Sequence, residues 1–343
     1  MVVALVATLF AIVGCKSDIP PVVPPNPYLT FYSDTEFTVT PGKNWSYYDT
    51  SNEFYNYDNS ILECSTDNTN WVVLNRNSDL KQTAVKSGDK YYLYFRGTGI
   101  NNLTFDGSST FTSWALDGNN IYCSGNIENL LDYKAVLRGE HPKMADICFY
   151  LMFKNCTALV SAPTLPSNEL SNYCYAYMFS HCTSLIQAPE LPSTSLATGC
   201  YFKMFDGCTS LVTAPELPST TLASSCYQCM FGNCTSLATA PELPATTLAN
   251  YCYHQMFSGC TSLATAPELP ATMLTNGCYY QMFYGCEKLN SVTCLATDIN
   301  ASGCLSNWLT GTAATGTFTK AKETTIWTVG GNVPTGWTIQ EIQ

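Results

Sequence analysis

The sequence predicts a mainly β or α+β chain, a solenoid of 26-residue repeats preceded by a small antiparallel β-sandwich-like domain. Three observations lead there. First, Cys148, Cys174, Cys200, Cys226, Cys252, Cys278 and Cys304 recur at a strict 26-residue interval. A period of roughly 20 to 50 residues without drift marks stacked units, none of which buries its apolar face alone. Second, residues 28–125 alternate short aromatic and β-branched runs with Asn, Asp, Gly and Ser clusters, the pattern of a sandwich or barrel. Third, the 343 residues are 46% hydrophobic and only 12% charged, against about 25% charged in ordinary soluble domains. A chain of this length and composition has material for one or two real cores.

Charge narrows the function. Fifteen Lys and Arg stand against 26 Asp and Glu, a formal net charge of −11. That excludes an electrostatic grip on nucleic acid or anionic lipid. Three His in the whole chain, His141, His181 and His254, leave little room for imidazole catalysis or zinc. There is no phosphate-cradling glycine loop, no nucleophile elbow and no carboxylate pair in a recognisable motif. The expectation is a protein that is not an enzyme and carries no cofactor or metal.

The chain opens with small and apolar residues from Val2 to Val13. These are too few for a membrane-spanning helix, which needs about 20 residues, and they suit the apolar part of a secretory signal. Ile12-Val13-Gly14-Cys15 resembles the lipobox of bacterial lipoproteins. The resemblance implies a signal peptide over 1–14, acylation of Cys15, and attachment at the cell envelope, surface-exposed on the outer membrane. Pro20, Pro21, Pro24, Pro25 and Pro27 follow. Proline fixes φ and removes the amide donor, so 15–27 reads as a lipidated Cys and a semi-rigid stalk.

Within 28–125 the strand signals are Tyr28–Tyr32, Trp71–Leu74, Tyr91–Phe95 and Phe111–Ala115. Residues 126–147, with Leu130-Leu131 and Val136-Leu137, read as an atypical first coil capping the array. Six repeats then cover 148–303. Residues 304–343 read as a C-terminal cap: a seventh unit that diverges after Leu309, then a Thr- and Trp-rich hairpin around Gly330-Gly331. Open ends of a stack need such covers because they expose core and unpaired edges.

Comparing the copies assigns a role to each place. In the unit starting at Cys252, the nearly invariant apolar set is Cys252, Tyr253, Met256, Phe257, Cys260, Leu263, Ala266, Leu269 and Leu274. The residue before the second cysteine is Asn155, His181, Gly207, Asn233, Gly259 or Gly285. These types tolerate a left-handed backbone, so a short helical turn is expected to stop there. Cys-Thr-Ser-Leu-x-x-Ala reads as a brief strand. Pro267 and Pro270, without amide donors, bound a bend around Glu268-Leu269. The run Met256-Phe-x-Gly-Cys-Thr-Ser-Leu-x-x-Ala-Pro-Glu-Leu-Pro270 resembles the BspA-like leucine-rich repeats of bacterial surface proteins. The resemblance implies a curved leucine-rich-repeat solenoid on a surface-anchored protein that adheres to host matrix proteins or other cells. It brings no catalytic residues.

Several constellations have more than one reading. The paired cysteine columns from Cys148 to Cys286 are buried thiols, disulfides within units, or, at a spacing that is not a usual ligand pattern, a metal site. Cys229 completes a C-x-x-C with Cys226. It occupies a variable place held elsewhere by Leu151, Tyr177, Lys203, Gln255 and Gln281, so the motif reads as incidental. Cys64 and Cys123 form a candidate disulfide. Glu190, Glu216, Glu242 and Glu268 make an acidic column, either solvated or holding a hard cation such as calcium. Thr194, Thr220, Thr246 and Thr272, beside Ser195, Thr221 and Thr247, form a hydroxyl band that is a recognition strip for proteins or glycans, or a soluble rim. Trp45, Tyr47, Tyr48, Phe54, Tyr55 and Tyr57 crowd among Asn and Asp, a sugar-stacking platform or a strand core. The second functional reading is therefore a glycan-binding module of a nutrient-uptake system, with its site on Trp45, Tyr47, Tyr55 and Tyr57.

Overall fold

The computed structural model describes residues 27–43, 47–49, 54–56, 59–104 and 111–343, the strands at 47–49 and 54–56 in backbone only. The signal segment, Cys15 and the stalk as far as residue 26 lie outside the described residues. In chain order the first segment forms β1 (Leu29–Ser33), β2 (Thr38–Thr40), β3 (Tyr47–Asp49), β4 (Phe54–Asn56), β5 (Ile61–Ser65) and β6 (Val72–Val73). It continues through β7 (Gln82–Thr83), β8 (Val85–Ser87), β9 (Lys90–Thr98), β10 (Ala115–Asp117), β11 (Ile121–Ser124) and α1 (Asn129–Leu137).

The main sheet does not stop at the first segment. Its order is β12–β11–β1–β9–β5–β6, and β12 (Leu159–Ser161), which lies inside the first repeat unit, pairs parallel with β11. Strands β10, β2 and β7 form a second, antiparallel sheet. Phe31, Phe95 and Trp114 pack between them, and Phe153 of the first unit reaches Phe31 at 6.1 Å and Trp114 at 6.2 Å. One hydrophobic cluster thus runs without interruption from Leu29 to Trp337. Helix α1 docks on β9 through Arg96. Its guanidinium lies 4.0 Å from the Trp71 ring and 4.2 Å from the Tyr133 ring, and donates to Glu63 at 2.8 and 3.3 Å.

The repeat units stack through an unusual backbone. Counting each unit from its first cysteine, unit one starts at Cys148 and unit seven at Cys304. From the residue before that cysteine to the residue before the second one, N–H groups alternate between two jobs. Tyr227, Cys229 and Phe231 donate to the carbonyls of Cys252, His254 and Met256 in the next unit, at 3.1, 2.8 and 2.9 Å. The intervening Gln228 and Met230 close local turns on Ser225 and Tyr227, at 3.2 Å each. Every junction from unit one to unit seven repeats this scheme with five forward bonds. The buried backbone is thereby satisfied without helix or strand.

This geometry needs a left-handed residue every fourth position. Ser225, Cys229 and Asn233 have φ of 55°, 53° and 57°, and the equivalent triplets recur in all seven units. The third member is the Gly, Asn or His place read from the sequence. The middle member is never glycine: Leu151, Tyr177, Lys203, Cys229, Gln255, Gln281 and Asn307 all have positive φ. A left-handed L-residue costs about 1–2 kcal/mol, so stacking imposes this conformation against local preference.

The remaining arc of each unit is also leaner than expected. β12 is a true strand and so is β13 (Ser291–Cys294), but between them the ladder shrinks to isolated parallel bridges such as Gln187 to Thr213 and Thr213 to Thr239. The C-terminal segment adds β14 (Gly316–Lys320) and β15 (Trp337–Glu341), and β13–β14–β15 form a parallel sheet. The expected terminal hairpin is therefore corrected: its two strands run side by side in the same direction, as successive coils.

The expected fold class is corrected with it. Among the described residues the fold is mainly β, its single helix lies ahead of the repeats, and no closed solenoid forms. An α+β leucine-rich-repeat solenoid behind a separate sandwich is not what this chain builds; it is mainly β, with its sheets at the two ends of the array. Three physical causes account for the difference. The left-handed triplets forbid helical turns, the prolines deny amides to a continuous inner sheet, and β12 joins the first segment to unit one.

Candidate interaction surface

The interior of the stack is a set of side-chain columns. Tyr175, Tyr201, Tyr227, Tyr253 and Tyr279 are almost fully buried, their rings stacked 5.8–6.2 Å apart. Beside them Phe153, Phe179, Phe205, Phe231, Phe257 and Phe283 stack at 5.6–5.8 Å. Trp308 ends both columns, 6.3 Å from Tyr279 and 6.5 Å from Phe283.

The cysteine columns are free thiols, and every cysteine among the described residues is buried. From unit two to unit six the second thiol has a partner in the preceding unit, while Cys156 of unit one donates to Trp114 O at 3.3 Å. Cys182, Cys208, Cys234, Cys260 and Cys286 donate to the carbonyls of Phe153, Phe179, Phe205, Phe231 and Phe257 at 3.0–3.1 Å. Burial holds the thiols of Cys174, Cys226 and Cys286 up at about 12, so they stay protonated and unreactive. Cys229 is raised to about 11 by the same cause, and its Sγ faces Gln255 Oε1 at 3.4 Å. The candidate pairing of Cys64 with Cys123 is not made; Cys64 donates to Gln82 Oε1 at 3.2 Å. Among the described residues no group of three His, Cys, Asp or Glu is placed to hold a metal ion.

Glu190, Glu216, Glu242 and Glu268 are all exposed, and among the described residues no ion pair or side-chain hydrogen bond engages them. Glu190, Glu216 and Glu242 stand on the rims of grooves between successive proline loops. One, of about 640 Å³, lies between Pro163 and Pro189 with Glu190 on its edge. Another, of about 400 Å³, lies between Pro215 and Pro241 with Glu216 and Glu242. Thr194, Thr220, Thr246 and Thr272 are exposed as well, but on the following bend, outside both grooves. The structure thus brings Glu190, Glu216 and Glu242 to the grooves and leaves the hydroxyl band apart. Trp45 and Tyr57 lie outside the described residues; Tyr47 and Tyr55 are described in backbone only, where Tyr47 pairs with Asn56 and Tyr48 with Tyr55 across β3 and β4.

Sequence reasoning missed the turn side. There the third, fourth and seventh places vary between units, some buried (Ala176, Ser180, Asp206, Cys229) and others reaching the surface. Across units one to three they gather Tyr150, Tyr177 and Phe202, with ring centroids 5.5 and 5.2 Å apart in sequence. Two ammonium groups frame them. Lys154 Nζ sits 5.3 Å from the Tyr177 ring, and Lys203 Nζ sits 5.7 Å from Tyr177 and 5.9 Å from Phe202. The signal was the variability itself, since Tyr177 and Lys203 hold the place that made Cys229 look incidental.

At the other side of unit one, Glu128 has a fully buried side chain that meets His141 Nδ1 at 2.8 Å. Burial raises its carboxyl pKa against the opposing pull of that contact. No helix among the described residues is long and apolar enough to cross a membrane. No family model, no curated protein and no solved structure matches this chain.

Proposed function

We propose that the chain is a non-enzymatic cell-surface lipoprotein, anchored through Cys15, whose stacked units bind matrix or cell-surface proteins. One observation carries this reading: the core places hardly change from unit to unit, while the variable places of units one to three assemble an aromatic patch flanked by Lys154 and Lys203. Rigid aromatic rings give contact area at low entropic cost and dominate protein interfaces. Lys154, together with Lys203, whose Nζ also lies 4.0 Å from Asp206 Oδ2, directs the patch toward an acidic partner surface. Weak contacts at successive units add through avidity.

The test uses the full chain carrying Cys15→Ser, so that it stays unacylated, against immobilised fibronectin, fibrinogen and mucin glycans. Two variants run beside it: deletion of residues 174–277, which removes four whole units, and Lys154→Glu/Lys203→Glu. Saturable protein binding lost in both variants is the expected result. Glycan binding that survives the deletion would move the function to the segment containing Trp45 and Tyr55. Absence of binding to every surface would refute the proposal.

A further inference from the structure

The forward hydrogen bonds give the stack two unlike ends. At the last complete junction, Gly277, Tyr279, Gln281, Phe283 and Gly285 donate to Ser302, Cys304, Ser306, Trp308 and Thr310 at 2.8–3.0 Å. In unit seven the equivalent N–H groups belong to Gly303, Leu305, Asn307, Leu309 and Gly311. None of them has an acceptor among the described residues, although the alternate amides of Ser306, Trp308 and Thr310 still close their local turns at 3.3 Å.

The register explains the shortfall. Thr317 of β14 pairs with Ser291, 26 positions earlier, but with Thr338 of β15 only 21 positions later. The final coil is five residues too short to carry a turn segment. Its place is taken by a tight turn in which Gly330 donates to Val333 at 2.8 Å. That turn covers the Trp308 ring, accepting from Nε1 at Asn332 at 2.7 Å, and stops short of the donor row. Between the two remains a slot of about 360 Å³, lined by Leu305, Asn307 and Leu309 on one side and Gly330, Asn332 and Val333 on the other.

We propose that this end of the stack is a docking edge for a peptide segment of a partner protein that adopts the same turn backbone and presents carbonyl oxygens at every second residue. The six preceding junctions define the complement, because each seats such a segment on such a row. Other occupants fit less well. Two copies meeting edge to edge would set donors against donors. A head-to-tail contact finds three of the five outward carbonyls of unit one already engaged, Asp146 O by Asn102 Nδ2 at 3.2 Å, Cys148 O by Leu103 N at 2.9 Å and Met152 O by Trp114 N at 2.7 Å. A free anion is opposed by the net charge of −11. Peptide capture at a sheet edge works through main-chain bonds in the same manner.

Amide hydrogen exchange on the full chain with Cys15→Ser tests this. The probe is a synthetic decapeptide copying residues 302–311 with Cys304→Ala. In the free protein the Leu305, Asn307 and Leu309 amides should exchange about 100-fold faster than those of Tyr279, Gln281 and Phe283. Saturating peptide should slow them about tenfold or more. Leu305→Pro removes one donor and should weaken the peptide about five- to tenfold. Because that variant bends the backbone, Thr335→Trp, which plugs the slot from its exposed rim, serves as the second and should abolish protection without changing the Tm. Three outcomes would overturn the proposal: no protection at millimolar peptide, protection that grows with protein concentration alone, or amides already protected in the dilute monomer.

Discussion

Replacing Phe231 and its column neighbours with leucine tests whether each unit is held by its immediate neighbours. Phe231 is completely buried, with parallel rings above and below at 5.8 Å (Phe205) and 5.7 Å (Phe257). A stacked pair contributes about 0.5–1.5 kcal/mol beyond its buried area. Phe231→Leu loses two pairs, so it should cost about 1–3 kcal/mol from stacking, with a smaller packing penalty from the change of shape. The sharper quantity is the coupling. In a double-mutant cycle, Phe231→Leu and Phe257→Leu should interact by about 0.5–1.5 kcal/mol, because they share one pair. Phe205→Leu and Phe257→Leu are two steps apart and should add to within about 0.5 kcal/mol. Equilibrium urea unfolding of the full chain, followed by near-ultraviolet circular dichroism, measures all three terms. Additivity at adjacent units, or equal coupling across a skipped unit, would refute the nearest-neighbour picture.

Three further predictions follow from the backbone, the thiols and the buried acid. At Gly303 (φ 64°) an added Cβ meets only Ser306 Oγ at 3.8 Å, so Gly303→Ala should cost about 1 kcal/mol, the left-handed penalty less the unfolded-state gain. Ser225→Gly, at φ 55°, should be neutral or stabilise by up to about 1 kcal/mol by the same arithmetic; urea midpoints of opposite order would contradict this. In a thiol-titration assay at pH 8 the native protein should leave Cys174, Cys226 and Cys286 unmodified, since burial keeps them near 12, with reaction only after unfolding; modification of these residues within minutes would count against it. Because burial raises the folded-state pKa of Glu128, its contribution is fully present below the ordinary carboxylate value and is lost as pH rises through the raised one. The wild type should therefore gain stability relative to Glu128→Gln as pH falls from 7 toward that ordinary value. A pH-independent difference between the two would exclude the assignment.

The apolar places were legible because repetition compares the chain with itself: Tyr253, Met256, Phe257 and Leu263 are buried as their invariance implied. The left-handed position before each second cysteine was also legible, since Gly, Asn and His tolerate it. Its companions were not. Leu151, Lys203 and Gln281 carry no local signal for positive φ; only the forward hydrogen bonds of the assembled stack make that conformation worth its cost. The same gap misled the fold class, because a run of Met-Phe before Gly-Cys looks helical until neighbouring units claim every second amide. The aromatic patch of Tyr150, Tyr177 and Phe202 was hidden for another reason: its members come from different places in different units. The candidate disulfide between Cys64 and Cys123 is not formed; the structure gives each thiol its own buried environment.

The forward direction of the inter-unit bonds makes the array a polar object, like a filament whose monomers all face one way. Each interior unit receives on one side what it gives on the other, so any two such units are interchangeable at their boundaries. Gain or loss of a whole copy by recombination between direct repeats would leave both termini matched. An inverted copy would set donor against donor at one seam and acceptor against acceptor at the other. Reach can therefore change by whole units without redesign of either end, and a lineage is free to adjust how far the stack extends while the chemistry of each step stays the same.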